Sequence, residues 1–495
     1  MNRRNFIKTT AAATACMGMN MACSRKHILG SKNGNKPNVI VIMADDQGYG
    51  DLSIYGNKYL ANPNIERLAS RGVVMNQHYS GSPLCGPARA ALLTGRYNHR
   101  TGAISVESNR CLDRISLREK TIADYFAGAG YATGMVGKWH NGLFDRRFHP
   151  NARGFQNFAG FLNGGMGYYD WILDYNGSPR HSSGEYLTDV FSQEGVDFID
   201  RNKDKPFFLY MAYNAPHSPL QAPEHLVDKY MSMGDLNKTV ATIYAMIEQM
   251  DTGIGRILDK LEETGLDENT IVLFTSDNGP WLGDFGGGDD YMRYNGPFSG
   301  MKNFCLEGGI RVPAIISWPS SLPSGTICNE MIHFTDWLPT LFAATGCKAP
   351  IGGMPLDGFN VMDVLRGETN FQNRKLFWQH NRNEPVMNCN SSMRDGKWKL
   401  VWPYPAGSIV KSDDDNYWYH EMFKREHFEM DVKYETLEQE IDTAEKPSLY
   451  DIENDPGEKD DLAEKQPERL NKMQTQLENW FDSVEKDRHE SIKYT

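Results

Sequence analysis

Cys85 lies within Ser82-Pro83-Leu84-Cys85-Gly86-Pro87-Ala88-Arg89-Ala90-Ala91-Leu92-Leu93-Thr94-Gly95-Arg96, a stretch punctuated like a short helix. Pro87 suits the first turn, Ala88 to Leu93 are good helix formers, and Gly95 can close the last turn. Cys85 is therefore expected at a helix N-terminus, where backbone N–H groups and the helix dipole favour an anion. A lone cysteine is otherwise most often a small buried side chain. Two further pairs carry chemistry: Asp45-Asp46 after the apolar run Asn38 to Ala44, and Asp277-Asn278 after Thr270 to Thr275. Asp45, Asp46, Asp277 and the amide oxygen of Asn278 offer only hard oxygen donors, which suit calcium or magnesium better than zinc. One such pair alone also reads as a solvated turn or helix cap. Two pairs, each following an apolar strand, favour a metal.

Cys-x-Pro-x-Arg followed by Leu-Thr-Gly-Arg closely resembles the signature of the type I, formylglycine-dependent sulfatases of the alkaline phosphatase superfamily. The resemblance runs along most of the chain. Asn38 to Gly48 is similar to the family's first metal-bearing strand, Gly137-Lys138-Trp139-His140 to its Gly-Lys-Trp-His segment, and Asn214-Ala215-Pro216-His217 to its Asn-x-Pro-His turn. Ser276-Asp277-Asn278-Gly279 resembles the second metal segment. Gly300-Met301-Lys302 with Glu307-Gly308-Gly309-Ile310-Arg311-Val312-Pro313 resembles the Lys-bearing loop, and Leu449-Tyr450-Asp451 with Asp455-Pro456-Gly457-Glu458 the closing strand and turn.

This resemblance implies a sulfuric ester hydrolase, arylsulfatase-like and directed at polysaccharides. It implies that Cys85 is oxidised to formylglycine by a maturation enzyme and joins Asp45, Asp46, Asp277 and Asn278 around one calcium ion. A sulfate monoester spreads charge over its nonbridging oxygens, and its leaving alkoxide needs a proton, so the site needs cations and an acid. By the resemblance, Lys138 and Lys302 hold sulfate oxygens and Arg89 orients and polarises the formylglycine. The hydrated aldehyde attacks sulfur, His217 protonates the departing alcohol, and His140 deprotonates the remaining hydroxyl to expel sulfate. A lone Lys is usually a solvated surface charge and a lone His usually structural, so these roles rest on motif context. His99, His149 and His380 are further substrate-pocket candidates. Two other readings stay open: a phosphonate or phosphate ester hydrolase of the same superfamily, from which Asn278 in place of His leans away, and a catalytically inactive glycan-binding protein. Matched catalytic positions all filled by competent residues argue against the latter.

The elements that must position these groups are legible as alternating strands and helices. Besides Asn38 to Ala44, apolar β-branched runs predict strands at Tyr131 to Val136, Phe207 to Tyr213, Thr270 to Thr275 and Val312 to Trp318. The clearest helix runs from about Leu236 to Thr264, with Gly265 as its stop. The alternation predicts an α/β fold: a large mixed, mostly parallel sheet sandwiched by helices, with functional groups beyond the strand C-termini. Beyond about residue 370 the composition shifts. Leu376 to His380 and Lys397 to Trp402 read as short antiparallel strands, Asp413 to Glu440 as a polar, aromatic-rich insertion, and Pro467 to Val484 as an amphipathic helix. The predicted organisation is an export signal over residues 1–23 with a linker to 36, a catalytic domain over 37–370 and a smaller α+β subdomain over 371–495.

With 495 residues, 40% of them apolar, the chain can bury a large core. Its net charge of −12 argues against a nucleic-acid binder, so an anionic substrate needs a local basic pocket. Arg3-Arg4-Asn5-Phe6-Ile7-Lys8 resembles a twin-arginine export signal, and Met21-Ala22-Cys23 a lipoprotein processing site despite Asn20. The expected location is the periplasm or cell surface, with membrane contact only through a lipid on Cys23. Cys16 and Cys23 fall in the signal, and the six remaining cysteines, scattered over so long a chain, are no disulfide framework. The expected substrate is a sulfated poly- or oligosaccharide whose sugar and sulfate position the sequence does not specify. Tyr168, Tyr169, Asp170 and Trp171 form an aromatic cluster suited either to sugar stacking or to loop packing.

Overall fold

Every side chain of Asn38–Ala44 (β1) is buried, and the two-residue strand period divides them between two cores. Val39, Val41 and Met43 enter one apolar cluster, Ile40, Ile42 and Ala44 the other. The first cluster is completed by helix α1 (Cys85–Thr94) and by residues of Ile122–Gly128 and Trp337–Thr345. Pro63–Ser70 and Leu187–Asn202 contribute to the second. A strand covered on both faces reads as a continuous apolar run, which is why β1 is visible in the sequence.

The computed structural model describes residues 36–282, 293–348, 353–405, 412–421, 430–437, 441 and 446–495. The expected export signal and part of the insertion lie outside these residues. Beside β1, strands β2 (Ala132–Lys138), β3 (Phe207–Ala212) and β4 (Thr270–Ser276) run parallel to it and to one another, in the order β4–β1–β3–β2. The long helix α2 (Lys238–Glu263) lies between β3 and β4 in the chain, and its Met246, Met250, Ile254 and Ile257 complete the second core. Strand β5 (Ala314–Ser317) runs antiparallel to β4. Asn157–Phe161 and an antiparallel hairpin, Ile172–Tyr175 with Ser178–His181, extend the sheet past β2, and short strands at 73–75 and 326–328 extend it past β5, making ten strands. The fold is the expected large, mostly parallel sheet between helices.

Register decides where the site falls. Met43 is level with Ala212 and with Thr275, and Ala212 with Gly137. The C-terminal ends of β1, β2, β3 and β4 therefore meet along one edge of the sheet. At Gly137 (φ +108) an added Cβ would lie 1.9 Å from the carbonyl oxygen of Ala212, so only glycine lets β2 approach β3 there.

A separate antiparallel sheet contains β6 (Lys375–Gln379), β7 (Ser391–Asp395), β8 (Trp398–Trp402) and β9 (Ser448–Asp451) in that order. Helix α3 (Pro467–Ser491) covers it, with Met473, Leu477, Trp480 and Val484 packed with Leu400 and Leu449. This is the expected small antiparallel sheet, and its helix is longer than the amphipathic pattern indicates. A buried ion network ties it to the main sheet: Lys399 Nζ lies 3.1 Å from Glu307 and 2.8 Å from Glu458, and Arg394 lies 3.1 Å from Glu307.

Candidate active site

The turns after β1 and β4 are stitched together by their own backbone. Asp277 N–H donates to Ala44 O (3.1 Å), Asp45 N–H to Ala215 O (3.0 Å), and Asp46 N–H to Asp277 Oδ1 (3.2 Å). Asp46 sits at φ +63, a left-handed conformation that aspartate tolerates better than most residues. Helix α1 begins at Cys85, as Pro87 predicts, and ends with Gly95 at φ +66, whose N–H donates to Ala91 O. Donor atoms of Cys85, Asp45 and Asp277 lie within 4.8 Å of one another, as do those of Asp45, Asp46 and His217. The predicted nucleophile and metal residues are thus gathered from β1, α1 and β4.

Three cations face these three carboxylates. Lys138, the last residue of β2, donates to Asp45 Oδ2 (2.7 Å). Lys302 donates to Asp46 (2.7–2.8 Å). Arg89 donates to Asp277 Oδ2 through Nε (3.0 Å) and Nη2 (2.7 Å), and to Lys138 O through Nη1 (3.0 Å). Burial alone pushes Asp46 up, but Lys302, His217 and Lys138 outweigh it and hold its carboxyl well below the usual range. Burial and the adjacent charge of Asp45 push Asp277 up. Such a cluster is stable only while its charges balance, and removing one partner of a buried pair typically costs about 3–5 kcal/mol.

The donor set fits a hard cation. Asn278 Nδ2 donates to Asp46 Oδ1 (2.8 Å), while its own Oδ1 is buried with no hydrogen-bond partner, as is Asp45 Oδ1. A buried acceptor left unmatched costs about 1–3 kcal/mol. Two of them beside two further carboxylates are what an oxygen-ligated divalent ion would satisfy.

The two histidines approach from different strands. His140, just beyond β2, has φ +55 and donates its N–H to Leu162 O (3.1 Å). Its Nδ1 is buried without a partner, and its ring packs so closely on Gly164 that a Cβ there would lie 2.9 Å from Nε2. Burial, then Lys138 and Arg89, hold its pKa well below that of free histidine, so the ring is neutral. His217 follows β3; its Nδ1–H donates to Ser218 O (2.7 Å), which turns Nε2 toward Asp46 Oδ2 at 3.7 Å. Burial and then Lys302 lower its pKa to about 3.

The other three candidate histidines make different contacts. His99 bonds Gln379 (2.9 Å) and packs edge-on to Trp480. His149 pairs with Asp174 (3.2 Å) beside a separate cleft. His380 is buried, and its N–H donates to Asn390 O (3.1 Å). Tyr168 and Trp171 are core residues. Tyr168 Oη donates to Asn214 O (2.7 Å) or His217 O (3.0 Å) and so supports the His217 turn.

Asn390 was not evident from the sequence. Its Nδ2 donates to Asn303 O (2.6 Å) and its Oδ1 accepts from Cys305 N–H (3.0 Å), clamping the loop that carries Lys302. An asparagine preceding a strand carries no sequence signal for this task, because the clamped loop lies more than eighty residues earlier.

Oxygen donors, flanking lysines and two histidines are thus brought together at the C-terminal edge of a parallel sheet. The sulfatase family model matches residues 37–347. N-acetylgalactosamine-6-sulfatase of Canis lupus familiaris is 33% identical over 67% of this chain and 66% of its own length, and arylsulfatase J of Mus musculus is 32% identical over 68% and 57%. Part of each relative's length therefore has no counterpart in the match. Among solved structures, Ps i-CgsB in complex with k-i-k-neocarrahexaose superposes with a TM-score of 0.74 at 29% identity, covering 90% of this chain and 93% of that one. The chain belongs to the sulfatase family, whose members hydrolyse sulfate esters.

Proposed function

We propose that this protein is an exported, calcium-dependent sulfatase that removes sulfate esters from an extracellular glycan through a formylglycine made from Cys85. The observation that carries the reading is the convergence of Cys85 with Asp45 and Asp277 within 4.8 Å, flanked by Lys138 and Lys302. The names of the relatives, which specify an N-acetylgalactosamine 6-sulfate and a carrageenan oligosaccharide, support a glycan substrate. The charged, then weakly apolar N-terminus supports export.

Cys85 as a plain thiol is a poor nucleophile, because burial raises its pKa and keeps it protonated. A plain thiol would also lack the second hydroxyl needed to release sulfate. Formylglycine would supply a hydrated aldehyde, with one hydroxyl to attack sulfur and another to let sulfate leave. Asp45, Asp46, Asp277, Asn278 and residue 85 would hold one calcium ion, which would supply positive charge beside the nucleophile. Lys138 and Lys302 would hold the nonbridging oxygens of the ester, and Arg89 would orient residue 85 from the first turns of α1. His217 Nε2 gives its proton to the leaving oxygen. Its low pKa leaves that nitrogen unprotonated in the free site at neutral pH, so His217 takes up a proton from solvent as the negative charge of the substrate enters. His140, neutral at the same pH, accepts the proton whose removal expels sulfate.

Sulfate release should be measured from 4-nitrophenyl sulfate and from chondroitin 6-sulfate and carrageenan oligosaccharides, using enzyme co-expressed with a formylglycine-generating enzyme. Turnover of at least one sulfate ester well above that of the phosphonate monoester phenyl phenylphosphonate and of 4-nitrophenyl phosphate is expected; the reverse order would assign the phosphonate or phosphate ester reading instead. Chelation, Asp45→Ala or Asp277→Ala should each lower turnover roughly 10²-fold or more, since each removes a positive charge or its holder from the reacting centre. Calcium should restore the chelated enzyme. Retention of the full rate after chelation, or rescue by zinc alone, would exclude this metal assignment.

A further inference from the structure

A cleft of about 740 Å3, within the roughly 300–1,000 Å3 typical of ligand pockets, is lined by residues of 143–152 and 161–179. Phe161, Met166, Ile172 and Leu173 give it an apolar floor, and His149 and Asp174 part of a polar rim. One wall is shared with the reacting centre. Phe161 O and Leu162 O accept the N–H groups of Trp139 (3.0 Å) and His140 (3.1 Å), Gly164 packs on the His140 ring, and Met166 O accepts from Asn214 Nδ2 (3.4 Å). The segment 161–166 therefore positions His140 on one side and lines the cleft on the other.

The chemistry of the lining selects a class of ligand. Its charged residues are two carboxylates, Asp145 and Asp174, and one Arg146, a balance that disfavours a second sulfate. Carboxylate and amide oxygens above an apolar floor match an uncharged pyranose, which offers hydroxyl donors at its edge and C–H groups on its face. The rim is pre-organised: Asn176 is held at φ +54, and its Oδ1 accepts from Phe158 N–H (2.8 Å) and Asn151 Nδ2 (3.0 Å). Asp174 Oδ1 accepts from Gly177 N–H (2.5 Å). A rim already ordered loses little freedom on binding.

We propose that this cleft binds unsulfated sugar units of an oligosaccharide whose sulfated unit is at residue 85. The inference rests on the sulfatase reading. Asp174→Ala removes a rim carboxylate, and Pro179→Trp fills the mouth from the exposed edge strand, where Pro179 pairs with Asp174. Sulfate release should be compared for 4-nitrophenyl sulfate and for carrageenan and chondroitin 6-sulfate oligosaccharides of two and six sugars. In both variants kcat/KM for a hexasaccharide relative to its disaccharide should fall about tenfold, through KM, corresponding to about 1.4 kcal/mol of lost binding. Activity on 4-nitrophenyl sulfate should stay within about twofold of wild type, because neither residue touches the carboxylate cluster. An unchanged length preference in both variants, or an equal loss on the aryl sulfate, would overturn the cleft assignment. If the wild type releases sulfate from none of these compounds, the sulfatase reading fails. Titration calorimetry with the chemically desulfated hexasaccharides still decides the cleft: binding to wild type that both variants weaken supports it, and no binding or equal binding overturns it.

Discussion

Cys85→Ala is expected to abolish sulfate ester turnover, by about 10⁴-fold or more, while the protein keeps its fold. Loss of a covalent nucleophile removes the reaction path itself, and comparable deletions in other enzymes reach about 10⁶-fold. The fold is spared for local reasons. Cys85 is 3% exposed at the first position of α1; alanine is smaller and a strong helix former there. The ion pairs of Asp45 with Lys138 and of Asp277 with Arg89 do not involve its side chain. Turnover of 4-nitrophenyl sulfate and the thermal unfolding midpoint report the two halves of the prediction. A Cys85→Ala variant with turnover within about tenfold of wild type would remove residue 85 from the chemistry.

The second large effect separates substrates by their leaving groups. His217→Ala should slow release of a sugar alcohol about 10²–10⁴-fold more than release of an acidic phenol, the usual range for general acid catalysis. A phenolate departs as a stable anion, whereas a sugar alkoxide needs the proton. His217 is placed for this by its Nδ1–H bond to Ser218 O, which leaves Nε2 facing the centre. His140→Ala, by contrast, should slow both substrate classes alike and trap a sulfated residue 85, readable by mass spectrometry. Equal losses on both classes in His217→Ala would reduce that residue to sulfate binding or support.

Much of this architecture is legible in the amino-acid sequence because its central strands are buried on both faces. β1, β3 and β4 appear as unbroken apolar runs, and the acidic or turn residues that end them mark the functional edge. α1 is legible through Pro87 and Gly95. Strand direction is not: an apolar run such as Ala314–Ser317 looks the same parallel or antiparallel, and only pairing shows that β5 is antiparallel to both β4 and the strand at 73–75. The hairpin over 172–181 escapes because Ser178–His181 is exposed along its whole length and carries no apolar alternation. Within the site, residue identities are legible and pairings are not. Nothing local to Lys138 or Lys302 says which carboxylate each meets, and the Asn390 clamp joins segments far apart in the chain. The aromatic cluster at 168–171 shows the same limit, since composition allows stacking or packing and only the tertiary arrangement buries Tyr168 and Trp171.

The central claim is the chemical identity of residue 85, and peptide mass spectrometry of active enzyme tests it directly. The peptide spanning Cys85 should be about 18 Da lighter than its sequence mass, the difference between a thiol-bearing side chain and an aldehyde, and should react with a hydrazine probe. The modified fraction should track specific activity across preparations made with and without a formylglycine-generating enzyme. Full activity from protein whose residue 85 is wholly unmodified cysteine would contradict the account.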